Sequence, residues 1–483
     1  MKLFNISVAM IVAIGMATTA NATLKSEKIT LKNNRILEYN KLPSPVDTVL
    51  EAFSDGIFYG RIRTNMFMYD WRDNSTSRVD NRAMGIGGSF IYKTAPLFGL
   101  SATAGLYTSQ NPSWFNEDVG DVGIVKSGKD TFSRYDTRET GNYGMTLLGQ
   151  AYLQYDIAKT SIIGGRQLFE SVFTKSNDTK MVPNAFDGIT ATIKDIDNTT
   201  IKIAYLAKQK LRDHTTSHDV IAYNGWEEND DSAVNKNLTV AKIGDNNSLS
   251  IASISNKSIK NLKADISYAL VPDLLSNLAL EAQYTIPLSG DWKVAPAIRY
   301  MQQFDHLNSS TSVANLSATS TVGYKDPNSL DTNLLAIRLD VKKGKFLTRL
   351  AYSQIADEAD FVTPWRGFPT AGFTRAIAQY NWRANTKVYM LRTGYEFGED
   401  GLLPGFTILT RYAIQDFDDK KDEVQADSNV LQIELQKNIG KNLEAKVRLG
   451  FVSADNSILK SNGVDYKSDV SYNEYRFELN YFF

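Results

Sequence analysis

Beyond Gly56 the chain alternates between apolar and polar residues, and the pattern recurs to the last residue. In the first such stretch Phe58, Ile62, Met66 and Met68 share one face, while Tyr59, Arg61, Arg63 and Asn65 share the other. Further on, Leu262, Ala264, Ile266, Tyr268 and Leu270 oppose Lys263, Asp265 and Ser267. Leu443, Ala445, Val447, Leu449 and Phe451 likewise oppose Glu444, Lys446 and Arg448. Successive side chains of a strand point to opposite faces, so each stretch predicts a strand with one apolar and one wet side. A tilted strand needs about 9–11 residues to cross a bilayer, and these stretches are of that order.

The connections predict how the strands are joined. Short turns fall at Pro96-Leu97, Ala158-Lys159, Ser289-Gly290, Lys343-Gly344 and Gly440-Lys441. Long polar stretches lie between the other strand ends, near 109–142, 169–186, 210–247, 305–330, 356–373, 416–428 and 453–470. Short turns on one rim and long loops on the other are the habit of a transmembrane β-barrel. The expected fold is therefore all-β: a closed antiparallel barrel over residues 56–483, with about 18 strands because bacterial barrels have an even number. The pattern is weakest over 235–260, where Asn, Ser and Lys dilute it. At the C-terminus Tyr475, Phe477, Leu479, Tyr481 and Phe483 alternate with Glu474, Arg476, Glu478 and Asn480. A closing amphipathic strand that ends on Phe483 resembles the signal read by the outer-membrane barrel assembly machinery.

The first residues read differently. Met1-Lys2, an apolar core from Leu3 to Met16 and the small residues ending in Ala20-Asn21-Ala22 describe a secretory signal peptide over residues 1–22. That core is too short for a membrane anchor, which needs roughly 18 apolar residues. Residues 23–55 are polar and lack a clear period, and they read as a surface or periplasmic leader. Export and barrel together place the protein in the outer membrane, among its lipid and lipopolysaccharide. Composition changes this little. A net charge of −1 implies no bulk affinity for nucleic acid, and the absence of cysteine excludes disulfides and thiolate metal sites. A mean hydropathy on the polar side of zero is no objection, because barrel strands face water on one side. The 24 Tyr and 23 Phe suit aromatic girdles at the two membrane interfaces.

Three stretches resemble the OprD family of substrate-specific porins. One is Glu51-Ala52-Phe53 with Gly56, Gly60 and Arg61 in the spacing E-A-F-x-x-G-x-x-x-G-R. The most specific runs from Gly165-Arg166-Gln167-Leu168-Phe169 through Asp178-Thr179-Lys180-Met181-Val182-Pro183-Asn184-Ala185-Phe186-Asp187-Gly188. It departs from the family pattern at Lys180, where arginine is frequent, and at Asn184, where glutamine is frequent. Thr410-Arg411-Tyr412-Ala413 is similar to a late family strand with a lumen-facing arginine. The resemblance implies a monomer, a trimer being the alternative, and an internal loop that narrows the pore. It also implies a ladder of arginines facing acidic groups, and small carboxylate-bearing solutes such as amino acids as substrates.

The residues themselves agree on the charge. Arg61, Arg63, Arg299, Arg338, Arg349, Arg392, Arg411 and Arg448 fall on polar faces of alternating stretches. An arginine on the lipid face costs about 2–4 kcal/mol at midplane, so the lumen is their place, and arginine rings sort anions. Pairing with Glu281, Asp340, Glu396 or Glu434 to brace the wall is the alternative role for each. Lys175, Asp178, Lys180 and Pro183 mark the expected constriction loop. An outer-membrane hydrolase or a non-conducting structural or adhesive barrel are the other readings. The three histidines, His214, His218 and His306, lie in or beside polar loops, and no nucleophile motif accompanies them. His214 and His218 have i, i+4 spacing, yet their Thr/Ser-rich surroundings read as a solvated loop, as do Asp416, Asp418, Asp419, Asp422 and Glu423. No catalytic, cofactor or metal residue is assigned.

Overall fold

The computed structural model describes residues 29–32, 34–40, 42–73, 78–124, 129–221, 238–244, 247–307, 311–316, 318, 320–377, 379–398 and 401–483. The expected signal peptide lies outside the described residues. The alternating stretches form β1 (Ile57–Trp71), β2 (Asn81–Lys93), β3 (Leu100–Gln110), β4 (Met145–Ile157), β5 (Thr160–Gln167) and β6 (Ala185–Ile193). They continue as β7 (Thr199–Lys210), β8 (Leu249–Asn256), β9 (Leu262–Val271), β10 (Leu275–Tyr284, prolonged by Ile286–Pro287), β11 (Trp292–Asp305) and β12 (Thr332–Lys343). The last six are β13 (Phe346–Ile355), β14 (Lys387–Glu396), β15 (Phe406–Asp416), β16 (Ser428–Ile439), β17 (Leu443–Ala454) and β18 (Tyr472–Phe482). Each pairs antiparallel with the next, and β18 pairs with β1, which closes an 18-stranded barrel. Closure removes every unpaired strand edge, the condition for a sheet to exist in lipid. The diluted region still yields a strand: β8 is eight residues long and pairs with β7 and β9 over its length.

Burial is inverted relative to a water-soluble protein. On β9, Ile266 and Tyr268 are 53% and 42% exposed, whereas Ser267 between them is 6% exposed. The apolar set points out of the barrel and the polar set points in, which suits lipid outside and a polar interior. Exposed rings form two bands: Phe58, Tyr155, Tyr284, Trp292 and Tyr481 toward one rim, and Tyr205, Tyr268, Tyr300, Tyr389 and Tyr412 toward the other. No helix among the described residues is long and apolar enough to cross a membrane. The strands do so instead.

The ladder continues to the last residue, for Gly60 N donates to Phe483 O at 3.1 Å and Phe483 N to Gly60 O at 3.2 Å. Gly60 admits no side chain there, because a Cβ would lie 2.0 Å from Ser89 O. The segment before it is a helical turn, Val49–Ser54, whose Thr48 and Glu51 form a reciprocal capping box. The E-A-F-x-x-G-x-x-x-G-R spacing is thus a capped helix followed by a tight strand approach.

The five expected turns fall between paired strands at one rim, and the long loops rise from the other. Two connections break the asymmetry. Only residues 272–274 join β9 to β10 at the long-loop rim, and residues 397–405 join β14 to β15 at the short-turn rim. The loop expected over 356–373 is longer than the polarity suggested and runs to residue 386. It also goes inward: Phe361, Trp365, Phe373 and Trp382 are each 1% exposed and join Phe169, Phe173 and Phe186 in one buried cluster inside the barrel. Over the outer end, Lys421 bonds Asp357 at 2.6 Å and Asp418 at 2.5 Å. Burial alone would raise the Asp418 carboxyl, but hydrogen bonds from Lys421 and Asn385 hold it below the usual carboxylate range. Asp418 is thus tied into the cap, whereas Asp419 and Glu423 stay exposed, as the solvated-loop reading expects.

The leader also differs from expectation. Ile29–Leu31 and Leu37–Tyr39 pair as a short hairpin. It packs on Tyr59, Ile91 and Phe482, which are lumen-side residues near the short-turn rim. Those apolar groups would otherwise face a water-filled pore, and the hairpin covers them.

Candidate permeation site

The site begins where β5 and β6 part. Gly165 stands opposite Gly188 and Arg166 opposite Asp187, and the Arg166 guanidinium holds that carboxylate through bonds of 2.7 and 3.0 Å. The two ends of the longest family-like motif are therefore one strand pair. The residues between them, 168–184, leave the wall and fold into the lumen.

Asp178 secures that loop. Its carboxylate meets Arg61 and Arg63, each at 2.6 Å, and its carbonyl accepts from both guanidinium groups at 3.1 and 3.2 Å. The three side chains are 0%, 0% and 1% exposed, so Arg61 and Arg63 are loop anchors in this arrangement and do not line open space. Asn65, two residues further along β1, donates to Lys180 O at 2.5 Å. Lys180 Nζ sits 3.9 Å from the Phe67 ring centroid and 3.8 Å from Asp130. At the loop's far end Lys210 donates to Pro183 O at 3.1 Å. Lys175 lies half-buried, 3.3 Å from Glu170.

The inward loop 356–386 meets this one edge to edge. Lys175 N donates to Trp365 O at 2.9 Å, and Gly367 N donates to Phe173 O at 3.0 Å. A second group of wall arginines positions it. Arg299 donates to Pro369 O and Ala371 O at 2.7 and 2.9 Å, Arg338 to Gly372 O at 2.8 Å, and Arg349 to the same carbonyl at 2.5 Å. Arg299 and Arg338 also stack over Phe373, at 4.7 and 4.6 Å from its centroid. Glu281 and Asp340 balance them at 2.5 Å from Arg299 and Arg349.

Between the two loops and the wall of β15 to β18 remains a cavity of about 170 Å³. Arg411, Arg448 and Arg476 reach it from the wall, and Lys180, Arg212, Arg366 and Arg375 reach it from loops. Asp130 and Glu474 are the carboxylates on its lining. Arg392 lies in the same row of the sheet: Arg349, Arg392 and Arg411 are directly opposite one another across β13, β14 and β15. Arg448 and Arg476 face each other in the same way. Like charges in directly opposed positions destabilise a sheet. Carboxylates offset part of that repulsion, with Asp340 bonded to Arg349, Glu434 3.0 Å from Arg448 and Glu474 bonded to Arg476.

Of the arginines expected on the solute path, Arg411 and Arg448 line the cavity, Arg392 adjoins them, and Arg299, Arg338 and Arg349 hold the second loop. Arg476 was legible from its alternation with Tyr475 and Phe477 but had no motif to single it out. Arg212, Arg366 and Arg375 come from loops whose course no periodicity describes. The aromatic density of 361–382 was the available sign that this loop is not a solvated one. The histidine segment is likewise not solvated. His214 and His218 are each 7% exposed with ring centroids 4.8 Å apart, because backbone bonds between Gln209 and His218 turn the chain inward. No metal-holding cluster of three acidic or histidine groups occurs among the described residues.

Fold and site together define a class: a membrane-spanning channel whose own loops form its narrowing. The chain belongs to the OprD family of outer-membrane porins, whose model matches residues 126–483. Solved structures similar to it include OccAB3 of Acinetobacter baumannii, at 16% identity over 89% of this chain and 99% of that one, with a TM-score of 0.68. OccAB1 of the same organism is 16% identical over 89% and 97%, with a TM-score of 0.67. OccK8 (OprE) of Pseudomonas aeruginosa is 15% identical over 89% and 99%, with a TM-score of 0.65. At such identities the likeness is one of fold. No curated protein matches the chain significantly.

Proposed function

We propose that this porin passes small carboxylate-bearing solutes, amino acids among them, by passive and selective diffusion. The observation that carries the reading is the excess of cationic over anionic side chains on the cavity between the loops. A low-dielectric wall strengthens that field, and guanidinium groups match carboxylates in a bidentate manner. Glu474 at the same cavity offers a partner for an ammonium group, so a zwitterion meets both signs in one place. In this reading the channel works as a monomer, and residues 1–22 export it. The C-terminal strand ending on Phe483 presents it to the assembly machinery.

The test compares a carboxylate with its amide. In proteoliposomes, Arg411→Gln with Arg448→Gln should slow swelling by the carboxylate severalfold and leave the amide unchanged. The reversal potential in a salt gradient should shift toward cations. Equal slowing of both solutes would mean that these arginines only brace the wall.

A further inference from the structure

We infer that the N-terminal hairpin is a built-in plug of the periplasmic vestibule, docked through Arg35 into a guanidinium site formed by Glu444 and Glu478. The inference rests on the barrel being a conducting channel, but not on which solute it carries. Short turns of such barrels face the periplasm, so the hairpin's end of the lumen is the periplasmic one.

Arg35 stands in the loop that links the hairpin's two strands, where Lys32 N donates to Ile36 O at 2.9 Å and Arg35 N to Lys32 O at 2.8 Å. Its side chain is 11% exposed. Nη1 donates to Glu444 Oε2 at 3.1 Å, and Nη2 bonds both Glu444 Oε1 and, at 3.0 Å, Glu478 Oε1. The receiving site is fully assembled by the wall. Gln436 donates to Glu444 at 2.7 Å, and Asn480 donates to Glu478 at 3.0 Å and to Glu444 at 3.3 Å. Lys446, the wall cation opposite Glu478, is engaged 2.5 Å from Glu434 on the other side. Two carboxylates are thus presented together in a sparingly hydrated place, with Gln436 and Asn480 donating to the same oxygens that Arg35 bonds, and the guanidinium they hold comes from the leader. Removing one partner of such a pair leaves the others buried and uncompensated.

Three further observations mark the docking as specific. Arg35 has a φ of 64°, a left-handed conformation that a side chain other than Gly, Asn or Asp seldom adopts. Turn geometry alone would favour glycine there, so the guanidinium is what the position retains. The apolar side of the hairpin, Ile29 and Leu37, fits the patch of Tyr59, Ile91 and Phe482 inside the barrel mouth. Asn34 bonds Glu170, whose other oxygen accepts Ser176 N at 2.7 Å, so the hairpin also touches the root of the constriction loop. The hairpin joins the rim helix Val49–Ser54 through residues 40–47. Leaving the vestibule requires breaking these contacts and no barrel strand pairing.

The experiment is single-channel recording of the full-length protein in planar bilayers, with folding checked by heat-modifiable migration. Arg35→Gly removes the guanidinium and suits the backbone, Arg35→Lys keeps a cation, and Glu444→Gln with Glu478→Gln removes the receiving charges. The plug predicts a severalfold rise in conductance or open time for Arg35→Gly and for the double acid variant, with Arg35→Lys in between. Millimolar guanidinium chloride on the periplasmic side should raise the conductance of the unaltered channel and do nothing further to Arg35→Gly. Conductance unchanged in all three variants, with no response to guanidinium, would overturn the plug. Should a variant fail to assemble, the guanidinium titration of the unaltered channel decides alone. Anion preference is read separately in the same records, so a channel that is unplugged but unselective would count against the carboxylate reading and not against this one.

Discussion

Asp178 pairs with both Arg61 and Arg63 in a fully buried place. A buried pair broken from one side costs about 3–5 kcal/mol, because the charge left behind is unpaired. Asp178→Asn keeps the shape and removes the charge, leaving Arg61 and Arg63 side by side. The expected outcome is a loop that lifts from β1, seen as larger and noisier single-channel conductance with the barrel still folded. A conductance indistinguishable from the unaltered channel would mean that the carbonyl and Asn65 contacts suffice. Arg61 and Arg411 share a residue type and a lumen-facing position, yet one is sealed under a loop and the other lines the cavity. What separates them is the path of a segment more than a hundred residues away in the chain.

At the level of elements, the narrowing is a seam between two loops, 168–184 and 356–386, each pinned to its own side of the wall. The seam leaves no room at Gly367, where a Cβ would lie 2.0 Å from Phe173 C and 2.2 Å from Phe173 O. Backbone cannot yield by that much, so Gly367→Ala should part the loops while leaving every strand pairing intact. Conductance should rise and discrimination between the carboxylate and its amide should weaken, both read in the recordings already described. An alanine variant with the original conductance would show that the narrowest section lies elsewhere. The strand elements need no such help. Alternation, turn and length agree along almost every one of them, and this agreement between local and global preference is what makes an element readable in sequence.

For the molecule as a whole, the testable statement is which side of the sheet meets lipid. Leu443, Ala445, Val447, Leu449 and Phe451 should react with a membrane-soluble thiol reagent when replaced singly by cysteine, and Glu444, Lys446 and Arg448 should not. The chain has no cysteine of its own, so the background is silent. A reversed or absent pattern would refute the register of β17, since one residue of slip exchanges the two faces. Sidedness and the inward faces of the arginines follow from period-two alternation, a local property, whereas the count of 18 strands also needed the rule that such barrels have an even number. The inward loop, expected over 170–186 and found over 168–184, was legible because its two ends carry a recognisable motif and its middle cannot be a strand. Other features were not legible from local pattern: the second loop, the pairing of Arg61 and Arg63 with Asp178, the docking of Arg35 on Glu444 and Glu478, and the convergence of Arg212, Arg366 and Arg375 with the wall. Each joins residues far apart in the chain through loops without period, and loop-closure entropy sets no preference among the many partners such loops can reach. Only the closed barrel, by confining those loops to one polar interior where every charge and backbone group must find a counterpart, decided which contacts they make.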